Sequence, residues 1–215
     1  MNLLLAKAHH PVTTLGPGRR AGIWTQGCTI GCPGCLSRDT WPADPATAVP
    51  VEAILGWLAS LPGPPEGVTI SGGEPFQQPR AVLELLEGIH AWRPPRLDIL
   101  LYSGYTYSHL SRFAESREIL ELCDAVVAGP YVDRRNDGAP LRGSSNQRLV
   151  PLTDLGRERY MTVTNAGARV QVSMTDGPEG RRVYYIGIPG RGDMDQLNTA
   201  LERAGVHAGD VSWRP

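Results

Sequence analysis

Short apolar runs alternate along this chain with longer amphipathic stretches, the pattern of strands and helices in succession. Gly22-Ile23-Trp24-Thr25-Gln26 reads as a strand that runs into a cysteine-bearing loop. Val51, Ile54, Leu55, Leu58 and Leu61 fall on one face of a helix over 51–61. Pro50 suits its start, and Pro62-Gly63-Pro64-Pro65 stops it. Gly67–Ser71 is a short β-branched strand ending in Gly72-Gly73-Glu74-Pro75. A second helix over Pro79–Trp92 places Val82, Leu85, Leu86 and Ile89 together, and Leu97–Tyr102 follows as a strand ending at Ser103-Gly104. Ser108–Leu122 is helical with a break near Phe113, and Ala125–Ala128 is a strand ending at Gly129-Pro130.

Repeated strand–loop–helix units predict an α/β fold with a mainly parallel sheet and right-handed crossovers. At 215 residues the chain is short for an eight-unit barrel of about 250, so a partial, open β/α barrel fits better. After about residue 150 the pattern changes. Val170–Met174 and Arg182–Ile188 flank Thr175–Arg181, whose Asp176-Gly177-Pro178 signals a hairpin, and Asp193–Ala204 aligns Met194, Leu197 and Leu201 as a helix. The expected organisation is a barrel domain over 1–150 and a hairpin-plus-helix extension over 151–215, within or beside that domain.

Charge narrows the function classes. There are 21 Lys+Arg against 22 Asp+Glu, a net −1, which disfavours a nucleic-acid binder working through a broad basic face. No apolar run nears the roughly 20 residues of a membrane span, and Leu3-Leu4-Leu5 is too short for a signal-peptide core, so a cytoplasmic protein is expected. Glycine (25) and proline (19) make up about a fifth of the chain and are spread throughout, which implies many tight turns.

Three of the four cysteines fall within eight residues, as Cys28-x3-Cys32-x2-Cys35. In a cytosolic protein such clustering points to a metal or redox site. A structural zinc wants four ligands, and the remaining candidates are Cys123, His9 and His10. A 4Fe-4S cluster on three cysteines leaves one iron without a protein ligand. Gly31 and Gly34 permit left-handed turns and close backbone approach in that loop. Gly72-Gly73-Glu74 sits at the end of the next strand, the active face of a parallel α/β sheet, where bare backbone can meet an amino acid moiety and a carboxylate can pair with its ammonium.

Together these motifs resemble the radical S-adenosylmethionine superfamily. The resemblance implies that Cys28, Cys32 and Cys35 ligate three irons of a 4Fe-4S cluster. It implies that S-adenosyl-L-methionine chelates the fourth, with Gly34, Leu36, Gly72, Gly73, Glu74 and Ser103 around it. Reductive cleavage would then give a 5′-deoxyadenosyl radical, with no catalytic residue beyond cluster and cofactor. A narrower likeness covers about residues 10–150: Pro11-Val12, Gly16-Pro17-Gly18-Arg19, the cysteine loop, Asp39-Thr40-Trp41, Ser71–Pro75, Ser103-Gly104-Tyr105, Gly129-Pro130-Tyr131 and Arg142-Gly143-Ser144-Ser145-Asn146-Gln147-Arg148. In this it is similar to the anaerobic ribonucleotide reductase activating proteins, which make a glycyl radical on a partner enzyme. That family implies a glycyl radical enzyme as partner and a flavodoxin or ferredoxin as reductant.

Three features depart from the family. Leu36-Ser37 stand where it has an aromatic and Asn, Ala128 stands where it tends to Asp, and about 65 residues follow the Arg142–Arg148 string. They keep open a radical enzyme acting on a peptide or small molecule, and beyond that a non-catalytic iron–sulfur module. Elsewhere ordinary readings serve. Cys123 is a small core residue, and adjacent His9 and His10 face opposite ways in a strand. Gly16-Pro17-Gly18 with Arg19 and Arg20 is a turn, and Trp24, Trp41, Trp57 and Trp92 are core or shell aromatics, Trp41 near the cluster. Arg142 and Arg148 are solvated or hold an anion or a partner's backbone.

Overall fold

The computed structural model describes residues 1–92, 94, 96–163, 168–177, 180–205, 211 and 212. Its elements in chain order are β1 (Asn2–Val12), β2 (Arg20–Thr25), β3 (Ala48–Pro50), α1 (Val51–Ala59), β4 (Gly67–Gly72), α2 (Pro79–Trp92), β5 (Asp98–Ser103), α3 (Tyr107–Leu110), α4 (Ala114–Glu121), β6 (Ala125–Ala128), β7 (Arg148–Pro151), α5 (Asp154–Tyr160), β8 (Val170–Gly177), β9 (Gly180–Gly187) and α6 (Asp193–Arg203). Seven strands form one sheet in the order β3-β1-β2-β4-β5-β6-β7, and β8 pairs with β9 as a separate hairpin. The tip of that hairpin at Pro178 lies outside the described residues.

The expected parallel arrangement is the centre of the sheet: β2, β4, β5 and β6 run parallel. Its margins are antiparallel, with β1 between β2 and β3 on one side and β7 against β6 on the other. The result is a mixed α/β fold with a large, parallel-rich sheet and a small two-stranded hairpin.

Period-two alternation sorts the strand side chains onto two faces. Ala21, Ile23, Val68, Ile70, Ile99, Leu101, Val126 and Ala128 meet Ile54 and Leu58 of α1, Val82, Leu85, Leu86 and Ile89 of α2, and Ile119 of α4. The intervening residues face the other way. Leu100, Ala125 and Val127 pack with Leu141 and Tyr160. Trp24 packs with Val12, Leu15 and Ile186, flanked by Tyr102, Tyr184 and Ile188. α1, α2 and α4 therefore cover one face, while Leu141, Tyr160 of α5 and residues of the C-terminal hairpin cover part of the other. Cys123 belongs to the helix-side core at 1% exposure, where burial pushes its thiol up.

Arg20 is not a turn residue. It opens β2 and is fully buried, its guanidinium paired with Asp98 Oδ2 at 2.8 Å and Oδ1 at 3.0 Å and donating to Thr69 Oγ1 at 2.7 Å and Val68 O at 2.8 Å. Asp98 also accepts from Arg159 at 2.5 Å and from the Tyr160 hydroxyl. Each buried charge thus has several partners, the condition under which it is tolerated. The network ties α5 to the amino ends of the parallel strands, leaving their carboxyl ends to the cysteine loop and the glycine motif.

Candidate iron–sulfur site

The cysteine loop leaves the carboxyl end of β2. Gly27, Gly31 and Gly34 have φ of 98°, 62° and 81°, the left-handed region that glycine enters most readily, so the chain can coil tightly between the three thiols. The loop is fastened where it leaves the sheet. The N–H groups of Gly27 and Cys28 donate to Thr40 O at 2.7 Å and Trp41 O at 2.9 Å, and the Gln26 amide donates to Asp39 O and Pro42 O. All three cysteines are half-buried.

Their thiols share one electrostatic neighbourhood. Burial pushes Cys32 up, the nearby Cys35 and Cys28 push it further, and the Tyr131 N–H opposes the rise. Burial likewise raises Cys35, opposed by donation from the Ser37 N–H and the Trp41 side chain. Trp41 therefore touches the candidate ligand set, as the resemblance implied. Among the described residues, no three His, Cys, Asp or Glu side chains converge on a single ion. Three coupled thiols on a fastened, glycine-hinged loop fit a thiolate-held cluster, whose ligands are spread over separate irons.

The glycine motif lies directly against this loop. The Gly73 N–H donates to Thr25 O at 2.7 Å, and the Glu74 N–H to Gly27 O at 2.9 Å. A Cβ on Gly73 would stand 2.3 Å from Gly27 O, so only glycine fits there. Glu74 is 1% exposed. Its carboxylate accepts from Phe76 N at 3.1 Å, Ser103 Oγ at 2.9 Å and Gly104 N at 2.7 Å. The side chain thus bolts the end of β4 to the end of β5. Burial pushes its carboxyl up to about 7, against the pull of the three donors.

Gln77 and Gln78 complete the bracket. Gln77 exchanges hydrogen bonds with Thr29 and reaches the Tyr105 hydroxyl at 3.0 Å, while Gln78 clamps Leu4 and Gln26. The sequence reading passed over both. Their signal was two adjacent amides between the glycine motif and a helix, where a purely local turn needs neither.

The Arg142–Arg148 string has a structural task as well. Gln147 donates to Gly129 O at 2.9 Å, Asn146 to Pro130 O at 2.7 Å, and the Ser144 hydroxyl accepts from Val132 N at 3.1 Å. These side chains satisfy the backbone just past β6, including the turn that brings the Tyr131 N–H to Cys32. Arg142 pairs with Asp137 at 2.6 Å, and Arg148 is exposed. Gly34 and Leu36 line a cavity of about 200 Å³ with Tyr131, Asp133, Asn136 and residues of the 189–195 segment. Gly72, Gly73, Glu74 and Ser103 instead gather at the β4–β5 junction.

Known proteins match this stretch of the chain. The model of the 4Fe-4S single cluster domain matches residues 14–150. The chain is 33% identical over 146 residues to the anaerobic ribonucleoside-triphosphate reductase-activating protein of Salmonella typhimurium, covering 65% of this chain and 93% of that one. It is 32% identical over 146 residues to the protein of the same name from Escherichia coli K12, with the same two coverages. It is 30% identical over 142 residues to the one from Enterobacteria phage T4, covering 65% and 88%. With the cysteine loop, the glycine bracket and the polar string all inside the matched span, the chain belongs to the 4Fe-4S single-cluster family that includes the anaerobic ribonucleoside-triphosphate reductase-activating proteins.

Proposed function

We propose that this protein is a radical S-adenosylmethionine enzyme that activates a glycyl radical enzyme. Cys28, Cys32 and Cys35 would hold three irons of a 4Fe-4S cluster. The backbone of Gly72 and Gly73, with Ser103, Gly34 and Leu36, would frame S-adenosyl-L-methionine at the fourth. When bound, cluster and cofactor supply one-electron cleavage of the sulfonium and hence a carbon radical able to take a hydrogen atom from a substrate. The electron comes from a low-potential donor of the flavodoxin or ferredoxin class.

The chain's own part is placement. Gly73 and Glu74 hold the cofactor-facing turn against the cysteine loop, Glu74 fixes the relative height of the β4 and β5 ends, and Gln147, Asn146 and Ser144 hold the turn after β6. One observation carries the reading: the glycine motif is hydrogen-bonded through Glu74 N to Gly27 O, one residue before the first cysteine, at the carboxyl ends of the parallel strands. The run of parallel strands with α1, α2 and α4 on one face supports reading the sheet as the open β/α barrel of this superfamily. The ties of Arg159 and Tyr160 to Asp98 support placing at least the start of the segment after residue 150 in the same domain.

The test is anaerobic reconstitution with iron and sulfide, then dithionite and S-adenosylmethionine. About four irons per chain and release of 5′-deoxyadenosine are expected. A reconstituted protein that releases none would refute the proposal. Formation of a glycyl radical signal on an anaerobic ribonucleotide reductase distinguishes the partner reading from action on a peptide or small molecule.

A further inference from the structure

The family span ends at residue 150, yet the chain beyond it returns to the cysteine loop. The Arg38 N–H donates to Ser212 O at 2.9 Å, and the Ser212 hydroxyl donates to Leu36 O at 2.8 Å. Both bonds fall on the stretch that leaves Cys35. Across the cavity beside that stretch, the Asn136 amide donates to Pro189 O at 3.1 Å, and Pro189–Gly192, Met194 and Asp195 form the wall facing Gly34 and Leu36. The hairpin that leads there is itself anchored on the sheet. Gln171 bridges Thr13 N at 2.9 Å and Pro11 O at 2.7 Å, the Thr14 hydroxyl donates to Ile186 O at 2.8 Å, and the Ile186 side chain packs with Val12, Leu15 and Trp24.

We infer that the described part of the segment after residue 150 is a built-in cover for the cysteine loop, held there by Ser212 and Asn136 as positioning residues. It contains no cysteine. It fixes the main chain next to Cys35 and walls the cavity at Gly34 and Leu36, so that the cluster is shielded by the chain itself. A molecule arriving on that side meets Pro189–Asp195 before it meets the loop. The inference rests on the reading of the loop as a cluster site, but its geometric half does not.

The test uses the full chain and the Ser212→Ala, Ser212→Thr and Asn136→Ala variants. Hydrogen exchange of the amides at 36–38 is measured on the metal-free protein, and iron loss to a chelator on the reconstituted one. Loss of the Ser212 hydroxyl bond is expected to raise both rates about fivefold in Ser212→Ala, and Asn136→Ala, which also loses the bonds to Tyr131 and Gly138, is expected to raise them at least as much. Ser212→Thr keeps the hydroxyl and is expected to restore both, while exchange in β5 stays unchanged in every variant. Wild-type rates in Ser212→Ala, no rescue by Ser212→Thr, or a uniform rise across the chain would each overturn the cover. A chain that takes up no iron at all would defeat the cluster reading instead, and exchange at Arg38 would still decide whether the cover exists.

Discussion

Gly73→Ala isolates the contact between the glycine motif and the cysteine loop. The added Cβ would stand 2.3 Å from Gly27 O, 2.8 Å from Gly27 C and 3.1 Å from Gly27 N. The first distance is about 1 Å short of ordinary van der Waals contact. All three atoms are backbone, so no side chain can rotate away. Moving the strands apart would stretch the Gly73 N–Thr25 O or the Glu74 N–Gly27 O bond, at 2.7 and 2.9 Å. Overpacking together with one weakened hydrogen bond costs about 2–4 kcal/mol. Gly31→Ala is the matched control. Gly31 has φ of 62° and nothing within 4 Å of a built Cβ, so its substitution carries only the left-handed backbone cost of about 1–2 kcal/mol. Denaturant unfolding of the metal-free protein measures both costs, and iron content after anaerobic reconstitution reports the loop. Gly73→Ala should lose more stability and more iron than Gly31→Ala. A Gly73→Ala protein with full iron and a loss below about 0.5 kcal/mol would refute the argument.

Three further outcomes follow from single side chains. With the Glu74 carboxyl at about 7 in the folded protein and near its usual 4.5 when unfolded, the folded state keeps a proton that the unfolded chain releases between those values. Stability therefore falls as pH rises through that window, by about 3 kcal/mol in all, and Glu74→Gln should lack this slope; equal slopes in urea titrations from pH 4.5 to 7.5 would contradict it. Asp98→Ala leaves the Arg20 guanidinium buried with its carboxylate gone and should cost about 3–5 kcal/mol, and a cost under about 1 kcal/mol would show that the network is dispensable. Cys32→Ala should abolish iron binding, while Cys123→Ala, in the helix-side core, should keep full iron content; iron loss in the latter would mean that the ligands are misassigned.

Regular patterns in the sequence translated directly into structure. α2 occupies Pro79–Trp92 and β6 Ala125–Ala128 as read, and the break near Phe113 separates α3 from α4, because the helices bury one clear face and β6 is a continuous apolar run buried on both. β1 gave no such signal. Leu3, Leu4 and Leu5 are consecutive, and the pairing with β2 shifts register between Leu5 and Lys7 and again between His9 and Val12, so no alternation survives. β3 and β7 have three and four residues and, unlike β6, no fully buried apolar run to mark them. α5 carried a usable sign, Thr153 capping the Gly156 N–H, but it sits in a short polar stretch. The site motifs were legible because their chemistry is concentrated in a few neighbouring residues. The role of Arg20 was not, since its partner Asp98 is 78 positions away and nothing local marks an arginine as buried. Nor could spacing show that the Glu74 carboxylate faces Ser103 and Gly104.

The two border strands of the main sheet have a consequence for how the molecule meets other proteins. An open sheet ends in two rows of unpaired backbone groups, which invite strand addition by another chain. Here one border is β3, which ends in Pro50, and the other is β7, which ends in Pro151 and begins with an exposed arginine. Proline has no N–H to offer, and so few residues give an intruding strand little to grip. Strand addition is therefore disfavoured at β3 and β7 themselves, while β1 keeps the stretch beyond Leu4 that β3 does not pair with.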